Sequence, residues 1–472
     1  MQRLTISLVV ALVLAGCWAV PFGLGDSVTG LDSLSGLDSA ASLASDESSE
    51  TDGAEPTSDG GTEETGVVEC VPTELPEAAP GYWPRRIASG ADGTLYVAGI
   101  YGFAVTTAAI LPHDAPAGTG RYVAAFAQDG ECVGFWALPG GYLSDVAVDG
   151  ERVVAVGSLD GSAHIAVFDT KLGPVFIDSL PDGDVAYSVA AAGGGRWAIV
   201  GSCNEDTLYA EYAPDQDPVT ECRSIGDKSL AHGVVVDVPG SRIYVAGHYT
   251  GASALPSGLG VAENLDVWLA SLPLTPEVEA GDHFEQANWR QVPANVASAD
   301  YPAITRLALA TDRIFLAFSS RTKPTVFPMA GTPSGCLAVV GWLPRQADLG
   351  GQGDALWIEP EVGVCSLAID DMRPEGDGVL IGGHTSRNFV DSTGHKYLKD
   401  RLRKGFAAHV KSVDGDIVYH WTPVADTVGA ANALIVRQCD GSVISSYLAG
   451  PEDPDGNKFF AGSFMDFWAP PL

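Results

Sequence analysis

The stretch Val146-Ala147-Val148-Asp149-Gly150-Glu151-Arg152-Val153-Val154-Ala155-Val156-Gly157 decides how this chain folds. Two short apolar runs rich in β-branched residues flank an Asp-Gly pair, and the second run ends in Gly. Asp-Gly supplies the positive φ that a tight hairpin needs, so the stretch reads as two antiparallel strands. The same unit recurs. It turns at Asp92-Gly93, Gly194-Gly195, Pro239-Gly240, near Thr311-Asp312, at Asp377-Gly378 and at Asp440-Gly441. Leu95-Tyr96-Val97-Ala98-Gly99, Trp197-Ala198-Ile199-Val200-Gly201 and Ile243-Tyr244-Val245-Ala246-Gly247 are the clearest second strands. That makes seven copies, with turns spaced from about 45 to about 70 residues apart.

Each copy continues through a variable loop into a second hairpin. Residues 122–126, Asp129-Gly130 and 132–136 form one; residues 405–410, Asp414-Gly415 and 417–421 form another. Four short antiparallel strands per repeat predict an all-β protein, a β-propeller of seven four-stranded blades. The long second-to-third-strand loops, 101–119, 250–264, 319–335 and 384–404, are expected on one face. The seventh copy runs out of chain after 459–468, one strand short. Val67-Val68-Glu69-Cys70-Val71-Pro72 has the pattern of an outer strand and is expected to close the ring onto that last blade.

The repeat resembles the bacterial β-propeller repeat labelled SBBP. Its members run strand, Gly, a polar loop with an aromatic, Asp-Ala-Phe-Val-Ala-Lys-Leu, Asp-Gly and a strand ending in Trp. Gly383-His384-Thr385 with Phe389, then Phe406-Ala407-Ala408-His409-Val410-Lys411, Asp414-Gly415 and Trp421, carry the likeness best. Gly247-His248-Tyr249-Thr250 and Asp266-Val267-Trp268-Leu269-Ala270 carry it in the fourth copy. The resemblance implies a propeller outside the cytoplasm and no particular activity.

The N-terminus has a different character. Met1-Gln2-Arg3 precedes a largely apolar run from Leu4 to Val13, too short to span a bilayer as a mature helix. Leu14-Ala15-Gly16-Cys17 follows and resembles the lipobox of bacterial lipoproteins. The resemblance implies cleavage after residue 16, lipid on Cys17 and attachment to a membrane through that lipid. Trp18, where family members held at the inner membrane carry Asp, points to the outer membrane, facing the periplasm or the cell exterior. Residues 17–66 contain no Lys or Arg and are rich in Ser, Gly, Asp and Glu. Low hydrophobicity with charge of one sign predicts a disordered linker. The chain therefore divides into a signal peptide at 1–16, a lipidated linker at 17–66 and a propeller at 67–472.

With 26 Lys+Arg against 60 Asp+Glu, the formal charge is −34. That excludes nucleic acid as a partner held by a basic patch. There is no nucleophile elbow, zinc-type His-Glu-x-x-His or phosphate-cradling glycine loop, so no cofactor is expected. Asp453-Pro454-Asp455-Gly456-Asn457 lacks the closing Glu of a calcium loop. His248 and His384 hold equivalent places after the Gly of a second strand. With Tyr249 and Phe389 they are the candidate ligand-binding residues, expected at the channel mouth. Tyr101 and Trp18 are further aromatics able to stack on sugars. In an oxidising compartment, Cys203 with Cys222 and Cys336 with Cys365 are candidate disulfides. Cys70 and Cys439 would sit on outer and inner strands of one blade, which are not neighbours, and Cys132 is left over.

The sequence thus favours a monomeric, non-enzymatic binding or scaffolding propeller of the envelope with a protein or glycan partner. The alternative is an envelope hydrolase or lyase with its site in the channel mouth.

Overall fold

The computed structural model describes residues 82–101, 119–127, 131–214, 216–275, 283–296, 306–321, 326–327, 337–346, 348–360, 367–385 and, from 389 to 468, the strands named below. The expected signal peptide and linker, with Cys17 and Trp18, and the strand expected at 67–72 lie outside these residues.

The chain builds one antiparallel meander after another. Blade one is β1 (Tyr82–Ser89), β2 (Leu95–Tyr101), β3 (Gly120–Phe126) and β4 (Cys132–Pro139); blade two is β5 (Tyr142–Asp149), β6 (Arg152–Leu159), β7 (Ser162–Asp169) and β8 (Pro174–Ser179). Blade three is β9 (Val185–Gly193), β10 (Arg196–Cys203), β11 (Asp206–Tyr212) and β12 (Val219–Arg223). Blade four is β13 (Lys228–Asp237), β14 (Arg242–Gly251), β15 (Ala262–Pro273) and β16 (Asn288–Val296). Blade five has β17 (Arg306–Leu309), β18 (Arg313–Ser320), β19 (Leu337–Pro344) and β20 (Asp354–Pro360). Blade six follows with β21 (Leu367–Glu375), β22 (Gly378–Thr385), a small hairpin of β23 (Phe389–Asp391) and β24 (Lys396–Tyr397), then β25 (Lys404–Lys411) and β26 (Ile417–Trp421). The last sheet is β27 (Val428–Arg437), β28 (Val443–Gly450) and β29 (Gly462–Trp468).

The protein is thus an all-β propeller. Seven four-stranded blades were expected; among the described residues six sheets carry the four-stranded meander and the last has three strands. The inner strands β1, β5, β9, β13, β17, β21 and β27 lie each against the next, and β27 also lies against β1. One further departure concerns the sixth blade. The hairpin β23–β24 leaves its own blade and pairs with β20, making the fifth sheet six-stranded.

The core is a series of slabs between blades. Val154, Ile165, Trp197 and Leu208 pack blade two on three; Val200, Tyr209, Val245 and Trp268 pack three on four. Val267, Leu316, Val339 and Trp357 pack four on five, and Phe315, Leu356, Val379 and Val410 pack five on six. Strand alternation sends successive side chains into the two gaps flanking each blade, which is why middle strands are apolar on both faces.

The glycine ending each second strand has a specific cause. In blades one, two, three, four and six the inner strand holds one extra residue, respectively Arg85, Ser144, Tyr187, His232 and Asp370. Gly99, Gly157, Gly201, Gly247 and Gly383 lie opposite the start of these bulges. A Cβ on Gly157, Gly201 or Gly247 would lie 1.9 Å from the carbonyl oxygen of Tyr142, Val185 or Leu230. Only glycine admits that backbone approach. Blade five has Phe318 in place of the glycine, and β17 pairs with β18 without a register shift.

The turn positions also move slightly. Asp149 pairs with Arg152, so the two-residue loop is Gly150-Glu151, with Gly150 at φ +54°. Glu375 pairs with Gly378, which places the sixth turn at Gly376-Asp377.

Candidate functional site

The inner strands bring polar residues to one level of the central channel. Arg86 of β1, Asp145 of β5, Ser188 of β9, His232 of β13, Arg306 of β17 and Asp371 of β21 line a cavity of about 490 Å³. Its wall continues along each inner strand toward the first hairpin turn of the blade, through residues such as Val148, Val236 and Leu309. Burial falls in the same direction: Asp145 is buried, Val148 half-buried and Gly150 exposed. The cavity therefore opens toward the inner hairpin turns. The long loops leave from the opposite ends of the inner strands, so the cavity is not the loop-built mouth expected from the sequence.

Asp145 ties three blades together. Its Oδ1 accepts from the Val146 N–H at 2.9 Å and faces Arg86 Nε at 3.4 Å; its Oδ2 accepts from Ser188 Oγ at 2.8 Å and the Val189 N–H at 3.0 Å. Arg86 Nη1 donates to the carbonyl of Asp370 at 3.0 Å, and Arg306 Nε donates to that same oxygen at 2.7 Å. Arg373 pairs with Asp371 at 3.3 Å and donates through Nη2 to the Ile87 carbonyl at 2.7 Å. Burial, and next the like charge of Arg86, push the Arg306 guanidinium down to about 9.

His232 stands between Tyr187 and His248, with ring centroids 4.6 and 5.0 Å away. Burial first, then the neighbouring His248, Arg306 and Arg86, keep it far below the ordinary histidine range and hence neutral.

The residues singled out from the sequence fall elsewhere. His248 is buried in β14 against His232, and its carbonyl accepts from Trp268 Nε1 at 3.3 Å. Tyr249 is 0 % exposed, and its hydroxyl donates to the Gly260 carbonyl at 2.6 Å. Tyr101 is likewise fully buried in blade one. Neither tyrosine presents a ring for a ligand to stack on. His384 holds the register of His248, pairing with Ala368 and Gly405 as His248 pairs with Leu230 and Val267. Phe389 belongs to the hairpin on the outer edge of blade five, opposite Pro360, away from the channel. Cys203 and Cys222 are joined by a disulfide, with Cα atoms 6.0 Å apart. Cys132 is a free thiol, pushed up by burial, and Cys336, Cys365, Cys70 and Cys439 lie outside the described residues. Among the described residues no group of three or more His, Cys, Asp or Glu is arranged to hold a metal ion.

Comparison with protein-family models and with curated proteins finds no match. Among solved structures, the WD40 domain of Pan2 from Neurospora crassa is similar at 10% identity and a TM-score of 0.42, over 84% of this chain and 90% of that one. The β-propeller domain of the Trilobed protease from Pyrococcus furiosus is similar at 11% identity and 0.40, over 83% and 94%. An acylaminoacyl peptidase from Pyrococcus horikoshii is similar at 11% and 0.37, over 66% of this chain and 44% of that one. At these identities the likeness is one of fold alone.

Proposed function

We propose that this chain is a cell-envelope lipoprotein, anchored through Cys17, whose propeller acts by binding and not by catalysis. In this reading residues 1–16 are removed and residues 17–66 form an acidic leash. Residues 67–72 add the fourth strand to the sheet of β27, β28 and β29, completing a seventh blade. The outer membrane is its site, and its partner is a protein or glycan.

The observation that carries the binding reading is how the channel carboxylate is used. Asp145 spends both oxygens on Arg86, Ser188 and two backbone N–H groups. A general base needs its lone pairs within reach of a substrate proton and a pKa near the working pH. The lone pairs of Asp145 are taken up by donors of the ring itself, and His232 is kept neutral by its surroundings. Both are built to hold the ring's shape.

Fractionation of cells carrying Cys17→Ala tests the anchor. The variant is expected in the soluble fraction or stalled with its signal attached; normal maturation with continued membrane association overturns the anchor. Turnover of any ester or glycoside in a substrate screen on the purified protein overturns the binding reading and returns the hydrolase or lyase alternative.

A further inference from the structure

The charged level of the channel is closed on itself. Arg86 is answered by Asp145 at 3.4 Å and by the Asp370 carbonyl at 3.0 Å. Arg373 is answered by Asp371 at 3.3 Å and by the Ile87 carbonyl at 2.7 Å. Arg306 donates to the Asp370 carbonyl at 2.7 Å, and Asp371, Asp145 and Asp370 counter its charge. The carboxylates are engaged in turn. Asp145 uses both oxygens, and Asp371 accepts from the Met372 N–H at 3.0 Å through Oδ1 while its Oδ2 faces Arg373. A charged ligand brought to this level therefore meets no counter-ion, and an ion taken out of water without one is costly.

The level next to the opening has different chemistry. Val148, Ala191, Val236, Leu309 and Pro374 stand at one register in five blades, three residues beyond the charged level, and all line the cavity. The first four are half-buried and Pro374 is exposed. They form an apolar collar around a concave mouth. Such a collar holds hydrocarbon against water, and a ligand that covers it releases that water favourably. At about 490 Å³ the space lies within the range of small-molecule sites.

We propose that this cavity binds a small neutral molecule with an apolar body, seated in the collar of Val148, Ala191, Val236 and Leu309 above the paired charges. The proposal rests on the binding reading above and adds a class of small molecule bound in the channel. Neutrality follows from the paired charged level, and apolarity follows from the collar.

Calorimetric titration of the mature full chain in detergent, with micelle-only blanks, tests it using hexanol, butanol, hexanoate and hexylamine. Hexanol is expected to bind at least about tenfold more tightly than hexanoate or hexylamine, whose charges the wall does not answer. Butanol, shorter by two methylenes, is expected to bind about tenfold more weakly than hexanol. Val148→Thr combined with Val236→Thr keeps the shape of the collar and gives it hydroxyls; it is expected to weaken hexanol at least about fivefold. Leu309→Glu puts a charge into the collar and is expected to do the same. Circular dichroism checks the fold of both variants, and if either fails to fold the ligand series decides alone. An ion bound as tightly as hexanol, equal binding of the two alcohols, unchanged binding by both variants, or no binding of hexanol overturns the proposal. Absence of hexanol binding alongside release of Cys17→Ala from the membrane removes this site and leaves the anchor standing. Hexanol binding by a protein that also turns over esters keeps the site and removes the non-enzymatic reading.

Discussion

Arg373 Nη2 donates to the backbone carbonyl of Ile87 at 2.7 Å, joining the inner strand of blade six to that of blade one across 286 residues of chain. Arg86 returns the contact by donating to the Asp370 carbonyl, 284 residues away. The two arginines therefore bind the beginning of the described ring to its far side, independently of any strand added from the N-terminus.

Arg373→Met removes one of these ties and leaves Asp371 without its guanidinium. Hydrogen bonds from charged donors contribute about 1.5–3 kcal/mol, and the loss of stability is expected in that range. Urea unfolding followed by tryptophan fluorescence measures it; an unchanged midpoint shows that the tie does not hold the ring.

The glycines divide into two kinds, and alanine distinguishes them. Gly201→Ala sets a Cβ 1.9 Å from the Val185 carbonyl oxygen. Backbone must move, at a cost of about 3 kcal/mol or more. Gly150→Ala meets nothing within 4 Å and bears only the φ of +54°, about 1–2 kcal/mol. Thermal denaturation of the two variants is expected to rank them in that order.

The Cys203–Cys222 disulfide closes a loop of 19 residues' separation. On chain entropy a loop of this size is worth about 3 kcal/mol. Replacing both cysteines with alanine is expected to lower stability by that order. Peptide mapping with blocked thiols is expected to recover the bond intact and to label Cys132 in the unfolded protein.

His164 gives the fold a directional response to acid. It is buried in β7, and burial, with Arg121 next, pushes it down to about 4. The unfolded chain takes up this proton near pH 6.5, the folded one only near 4. Between those values the unfolded state binds more protons, so stability rises with pH. Acidification from pH 7 to 4 is expected to remove on the order of 2–3 kcal/mol through this residue. His164→Leu is expected to flatten the pH dependence of the unfolding midpoint across that window; an unchanged slope assigns the effect elsewhere.

Much of the architecture was legible because the turns are local. Asp-Gly and Gly-Gly pairs, and the apolar runs between them, sit within a dozen residues of each other. The terminal Gly of the second strand was also visible, but its cause was not. The bulge that demands it lies on the preceding strand, and Ser144, Tyr187, His232 and Asp370 share no chemistry that would mark them as one position. The channel residues were hidden for the same reason. Arg86, Asp145, Ser188 and Asp371 occupy one register in four blades with three different residue types. A polar residue interrupting the inner strand at constant register in five blades, with Arg306 as the fifth and Gly233 in its place in blade four, was the available signal. His248 and Tyr249 misled because a position after a terminal Gly looks like the start of a loop, whereas β14 continues to Gly251.

The hairpin that blade six places on the edge of blade five sets a clock on synthesis. Strand β20 ends at Pro360, and its partner Phe389 emerges from the ribosome about thirty residues later. At ~5–20 residues per second this leaves the edge of a finished meander uncovered for roughly 1.5–6 s. An uncovered edge is where strands from another molecule add. The interval makes this edge a point at which crowding of nascent chains or a delay in translation turns a folding intermediate into an aggregate.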